Sequence, residues 1–165
     1  DVTHIINTGV AGSLNPALDI GDILVSKDAI QHDMDVTPLG YAKGQIPGLE
    51  QLAFTADEKL CKTAVEVCKK VNPDIHVTEG RVVSGDQFIS SKEIKDALIA
   101  EFHPDCTEME GASIAQAATL NNIPYVVIRA ISDKADGSAQ EDYPTFEKKA
   151  AEHCAKLVQE MMREL

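Results

Sequence analysis

One stretch limits the possible architectures more than any other: "IPYVVIRAISD", residues 123–133, where apolar and β-branched residues follow one another with almost no polar alternation. Such a strand has no solvent face, so it requires cover on both sides, as in a largely parallel sheet between helices. Polar residues enter only toward its C-terminal end. There, Arg129, Ser132 and Asp133 must be solvated at the sheet rim, joined in an ordinary salt bridge, or engaged with a ligand, because burying an unpaired charge is costly.

The remaining sequence supplies the layers. Val2 to Thr8 reads as a strand that breaks into a loop on Gly9 and Gly12, and "GDILVSKDAIQHD" (21–33) is a second extended segment. Residues 37–50, with two prolines and three glycines, form a long loop of the kind that is usually functional or disordered. A capping box at Thr55–Glu58 opens a helix with Leu60, Ala64, Val67, Cys68 and Val71 on one face, stopped by Asn72–Pro73. "IHVTEGRVVSGDQF" (75–88) is extended with a break at Gly85. A second capping box, Ser90 with Glu93, heads a helix that presents Ile94, Ala97, Leu98 and Phe102 and ends near Pro104. An apolar helix follows "TEMEGAS" (107–113) and runs to about Asn122. The last helix sets Phe146, Ala150, Cys154, Leu157, Val158, Met161 and Leu165 on one stripe. Alternating strands and helices predict one layered α/β domain over residues 1–165.

Charge and cysteine usage exclude several classes. With 15 Lys and Arg against 27 Asp and Glu, the net charge of −12 repels phosphate backbones and anionic lipid, so neither nucleic acid nor membrane is expected as a partner. Cys61, Cys68, Cys106 and Cys154 contain no C-x-x-C pair and read as reduced, buried thiols of a cytoplasmic protein. The uncharged runs are too short to cross a bilayer, and the start carries no signal-peptide pattern. Asp1 leads straight into a strand, and a strand of this kind is expected to have a preceding partner, so the domain is predicted to be N-terminally incomplete.

In open α/β sheets ligands sit beyond the carboxyl ends of strands. That rule selects Gly9–Gly12, Gly85–Ile89, Glu108–Gly111 and Arg129–Asp133. The glycine pair lets backbone approach a ligand but lacks both the dinucleotide and P-loop patterns. Phe88 and Ile89 can stack on a flat ring or belong to the core. Glu108 and Glu110 meet the positive end of the following helix, which explains one glutamate and leaves the other, with Met109, over. The five histidines show no metal-ligand spacing and His153 reads as solvated; "QHDMD" (31–35) reads as a surface turn or subunit contact, and no metal or cofactor is expected.

Taken together, "INTGVAGSL" (6–14), "GDILVS" (21–26), "HDMDVTPLGYAKGQIPG" (32–48), "VSGDQFI" (83–89), "EMEGASIA" (108–115) and "VVIRAISDKAD" (126–136) resemble the purine nucleoside phosphorylase and hydrolase superfamily, and among its members the 5′-methylthioadenosine/S-adenosylhomocysteine nucleosidases. The resemblance spans almost the whole chain, in order. It implies a three-layer phosphorylase/hydrolase-like fold with a central mixed sheet. It also implies hydrolysis of an N-glycosidic bond, releasing adenine and a 5-thioribose product, in a homodimer without cofactors.

By the same resemblance, Asp133 is the acid that protonates adenine N7 and Glu110 binds the ribose hydroxyls. Met109 packs on the sugar. Arg129 lies on the water and ribose side, and Ser132 supports the adenine end. Phe88 and Ile89 hold adenine, Tyr143 covers the base, and Gly12 belongs to the glycine segment of the site. Val36, Leu39, Tyr41 and Pro47 line the neighbouring subunit's alkylthio pocket. Two departures stand out. Val10 replaces the serine or threonine that many relatives carry in the glycine segment, favouring water over phosphate as nucleophile. The family's first strands and its water-activating glutamate have no counterpart in these residues. A related phosphorylase, another nucleoside hydrolase and a non-catalytic nucleoside-binding fragment are the alternative readings.

Overall fold

A computed structural model describes residues 1–165, residue 141 by its backbone alone. The elements run β1 (Ile5–Ser13), β2 (Ile23–Gln31), β3 (Phe54–Thr55), α1 (Glu58–Val71), β4 (Val77–Ser84), α2 (Lys92–Phe102), β5 (Cys106–Glu108), α3 (Gly111–Leu120), β6 (Tyr125–Asp133) and α4 (Ala139–Glu164). A short 3-10 turn, Thr37–Leu39, interrupts the long loop.

The apolar stretch is β6, and all nine of its residues are buried. It runs parallel to β1, with Ile5 opposite Tyr125 and Val10 opposite Ala130. On its other edge Val25 of β2 faces Ile128 antiparallel. The sheet order β3-β2-β4-β5-β1-β6, together with that β2–β6 pairing, closes the mixed sheet on itself. β6 is therefore less parallel in its surroundings than its composition suggests, because closure of the ring gives it an antiparallel neighbour. Buried Ser26 marks the seam: its hydroxyl accepts from Val127 N at 2.9 Å, next to a register shift in β2.

Helices flank the sheet. α4 packs on β6, β1 and α1 through Ala150, Cys154, Leu157 and Met161, all buried, while Leu165 at the end of the expected stripe is exposed. Each large aliphatic side chain covered this way contributes about 1.5–3 kcal/mol. α1 buries Leu60, Cys61, Ala64, Val67 and Cys68. A second, smaller core of Leu14, Ile30, Val83, Ile89, Leu98, Phe102 and Ala135 lies beneath α2. Among the described residues no helix is long and apolar enough to cross a membrane.

Local structure departs from the sequence reading in four places. The first strand does not break at its glycines but continues through both to Ser13. The cap of α1 is Asp57, whose carboxylate accepts from Leu60 N at 2.9 Å, because Thr55 is held in β3 opposite Asp28. The cap of α2 is Ser91 in place of Ser90, and on that helix only Leu98 and Phe102 are buried, leaving Ile94 exposed. Cys106–Glu108 is a strand, squeezed between β4 and β1 and too short and polar to announce itself.

Candidate active site

The carboxyl ends of β4, β5 and β6 and the end of β1 converge on one cleft of about 490 Å³. Its walls include Val10, Ala11 and Gly12 of β1, Thr107, Glu108, Met109 and Glu110 around the β5–α3 junction, and Ser132 and Asp133 of β6. Phe88 from the β4–α2 connection and Gln140, Tyr143 and Pro144 from the first turns of α4 complete it. Phe88 and Tyr143 meet edge to face, centroids 5.7 Å apart, and Tyr143 donates its hydroxyl to Glu147 at 3.0 Å.

Asp133 is 3% exposed. Its Oδ2 accepts from Ser132 Oγ at 2.8 Å and its Oδ1 from Ala135 N at 2.8 Å. Burial raises its pKa above the usual carboxylate value, with Asp142 and Asp136 adding to the shift, while the two hydrogen bonds oppose it. Gly12 permits the arrangement: a Cβ at this position would stand 2.8 Å from Asp133 Oδ1 and from Ala135 Cβ. Glycine spacing in β1 thus makes room for the carboxylate, rather than bending a loop around a ligand.

The two glutamates divide. Glu108 is buried and accepts from Gly111 N at 2.8 Å and from Arg129 Nε at 3.0 Å, with Ser84 Oγ donating to its other oxygen. Ser84 Oγ in turn accepts from Ala112 N at 2.7 Å. Glu108 therefore closes the start of α3. Glu110 is the accessible one, its side chain 66% exposed at the cleft rim with a long ion pair of 3.7 Å to Arg129, and exposed Met109 lies between them.

Arg129 is 1% exposed and does not line the cleft; of the alternatives open to it, the salt bridge is realised, with Glu108. Its Nη2 also donates to Asn7 Oδ1 at 2.6 Å and stands 3.7 Å from Glu110 Oε2, so it backs the cleft wall that Glu108 and Glu110 form. Gly9 leaves space for it, since a Cβ there would lie 3.2 Å from Nη1. Ile89 belongs to the smaller core and walls only an adjoining recess of about 30 Å³. Val36, Leu39, Tyr41 and Pro47 lie on the 36–47 segment outside the cleft walls, with Leu39 73% exposed. His153 is half-buried with its Nδ1 unpartnered, and is not the solvated residue its helix position suggests. Among the described residues no group of three or more metal-ligating side chains occurs.

Gln140 and Pro144 escaped sequence reasoning. The apolar stripe is readable only from Phe146 on, and Pro144 just before it argues against the helix that in fact begins at Ala139.

A mixed sheet closed on itself, with a buried acid, an aromatic pair and an exposed carboxylate around one cleft, is the layout of an α/β enzyme. The chain belongs to the phosphorylase superfamily, whose family model matches residues 1–163. Within that superfamily it is similar to nucleosidases and to a futalosine hydrolase. It is 42% identical over 163 residues to the 5′-methylthioadenosine/S-adenosylhomocysteine nucleosidase of Anoxybacillus flavithermus, covering 98% of this chain and 69% of that protein. Among solved structures it superposes with a TM-score of 0.93 on a Helicobacter pylori nucleosidase variant, Asp to Asn, with 5′-methylthioadenosine in the active site; identity is 36%, covering 99% of this chain and 70% of that one. The futalosine hydrolase of Helicobacter pylori is equally similar in fold, at TM-score 0.93 and 38% identity, covering 99% and 69%.

Proposed function

We propose that the protein hydrolyses the N-glycosidic bond of 5′-methylthioadenosine and S-adenosylhomocysteine, releasing adenine and a 5-thioribose product. The observation that carries this reading is the buried Asp133 carboxyl, its pKa raised by burial, at the end of a cleft whose aromatic pair suits a purine and whose rim offers Glu110.

This chain's residues carry the leaving-group half of the reaction. Adenine lies against Phe88 and Tyr143, and Asp133 gives its proton to N7, so the purine departs neutral; general acid assistance of this kind is worth about 10²–10⁴-fold. As the bond lengthens the ribosyl carbon gains positive character. Glu110, holding the ribose hydroxyls, then interacts more strongly than in the ground state, and Met109 packs on the sugar. Arg129 acts from behind, keeping Glu108 and the start of α3 in place. Water is the nucleophile in this reading, because Val10 presents an aliphatic side chain to the cleft where a phosphate oxygen would need a donor.

The 36–47 segment, with exposed Leu39, is read as lining the alkylthio pocket of a second copy in a homodimer. The test of the reaction is adenine release from methylthioadenosine measured with and without phosphate. Turnover independent of phosphate is expected, and a strict phosphate requirement would replace hydrolysis by phosphorolysis. The similarity to futalosine hydrolase makes futalosine the second substrate to assay.

A further inference from the structure

The residue after next from the acid, Ala135, is fully buried and holds φ +50°, a left-handed conformation that alanine rarely adopts. That conformation aims its N–H at Asp133 Oδ1, 2.8 Å away. Strain of this kind persists only where the surroundings impose it, and two lysines anchor the backbone around it. Lys95, reaching from α2, donates to the carbonyl oxygen of Lys134 at 2.5 Å and approaches Asp136 at 3.9 Å. Lys134 itself reaches to the turn after β1, donating to Leu18 O at 2.6 Å and to Asp19 Oδ1 at 2.8 Å. Gly12 leaves only enough room for Ala135 on the inner side.

We infer that Lys95 and Lys134 are positioning residues, a two-sided clamp on residues 134–136 that keeps the Ala135 N–H on the Asp133 carboxylate and so fixes where the acid points. The inference rests on the proposed role of Asp133. Neither lysine touches the cleft; they act through the backbone. The groups facing Asp133 are Ser132 Oγ, the Ala135 N–H, the carboxylates of Asp136 and Asp142, and the Tyr143 hydroxyl across the cleft. Releasing the clamp removes the N–H and uncovers Asp136, and both changes favour the protonated carboxyl.

Lys95→Met and Lys134→Met test this in the active enzyme, with Lys95→Arg as the conservative rescue and circular dichroism as the check on folding. Three readouts apply: kcat and KM for methylthioadenosine, titration of the Asp133 carboxyl by carbon NMR, and hydrogen exchange of the Ala135 amide. With the clamp released, kcat is expected to fall about tenfold at nearly unchanged KM, since small misplacements of a catalytic group are that costly. The carboxyl then titrates at higher pH and the Ala135 amide exchanges faster, with Lys95→Arg restoring both. Unchanged kcat and titration in folded variants would overturn the clamp, as would an upward titration with Ala135 exchange unchanged, which would reduce the lysines to bulk charge. Should the unsubstituted protein release no adenine, the reaction assignment fails, while titration and exchange still decide the clamp.

Discussion

Asp133 concentrates the residue-scale chemistry. Replacing it by Asn keeps the shape and removes the transferable proton, so kcat for adenine release is expected to fall about 10²–10⁴-fold with the fold intact; steady-state assay beside a thermal melt checks both. The acid must hold its proton to act, so kcat falls as pH rises through its raised pKa. Stability carries the same sign. The folded state binds that proton more tightly than the unfolded chain, so the contribution is full below the ordinary carboxylate pKa and is lost as pH rises through the raised value. Denaturant melts of parent and Asp133→Asn should therefore diverge in favour of the variant from acid to neutral pH. That these residues share one cleft was readable from the sequence, since Asp133 ends a strand and Glu110, Met109 and Phe88 follow strands whose carboxyl ends had to converge. Arg129 was not. An arginine in an apolar run has both a ligand and a buried partner as solutions, and only the fold brings Glu108 within 3.0 Å of it.

At the level of elements, Glu108 joins more than it resembles in sequence. It ties β5 to β6 through Arg129, to β4 through Ser84, and to the first amides of α3. Glu108→Ala leaves Arg129 buried without its counter-charge, and a loss of about 3–5 kcal/mol by denaturant unfolding is expected. Arg81 plays a milder part at the other side. It binds Asp28 of β2 with two contacts of 2.8 Å and donates to Phe102 O at 2.9 Å, stitching β2, β4 and the end of α2. Arg81→Met should cost about 1–2 kcal/mol, less than a buried charge-assisted set because the pair is partly exposed. Helices were legible because their apolar spacing is long-range and redundant. Their first residues were not, since Thr55, Asp57, Ser90 and Ser91 are all competent caps; strand pairing removes Thr55, while at α2 the hydroxyl that reaches Ile94 N is that of Ser91. β5 was invisible for a related reason: three residues give no period to read.

Over the whole molecule the four thiols, all free and buried, form no disulfide and present nothing to solvent. Burial, with Glu79 and Asp57 nearby, pushes Cys61 up to about 12, so an aromatic disulfide reagent should leave all four unmodified until the protein unfolds. The exposed Leu39 belongs to the same scale. If the 36–47 segment reaches a second copy, Leu39→Asp shifts light-scattering mass toward the monomer and raises KM for methylthioadenosine more than it lowers kcat. Fold class was legible from one apolar strand. Ring closure was not, because nothing local in β2 distinguishes a strand with one neighbour on each side from one that also seals a seam. That seam has a consequence for biosynthesis. β1 pairs with β6 across some 120 residues, Ile5 with Tyr125, and β2 needs β6 as well. β2 meets β3 and β4 and β1 meets β5 earlier, but the edge of β1 that takes β6 and the Ile23–Val25 edge of β2 have no partner until residue 133 has been made. Those two edges stay open during synthesis, in contrast to a hairpin fold that seals as it emerges, and such long-range pairing slows folding. The ring therefore closes only after β6 has been made, and how fast it closes depends on how quickly those separated edges meet.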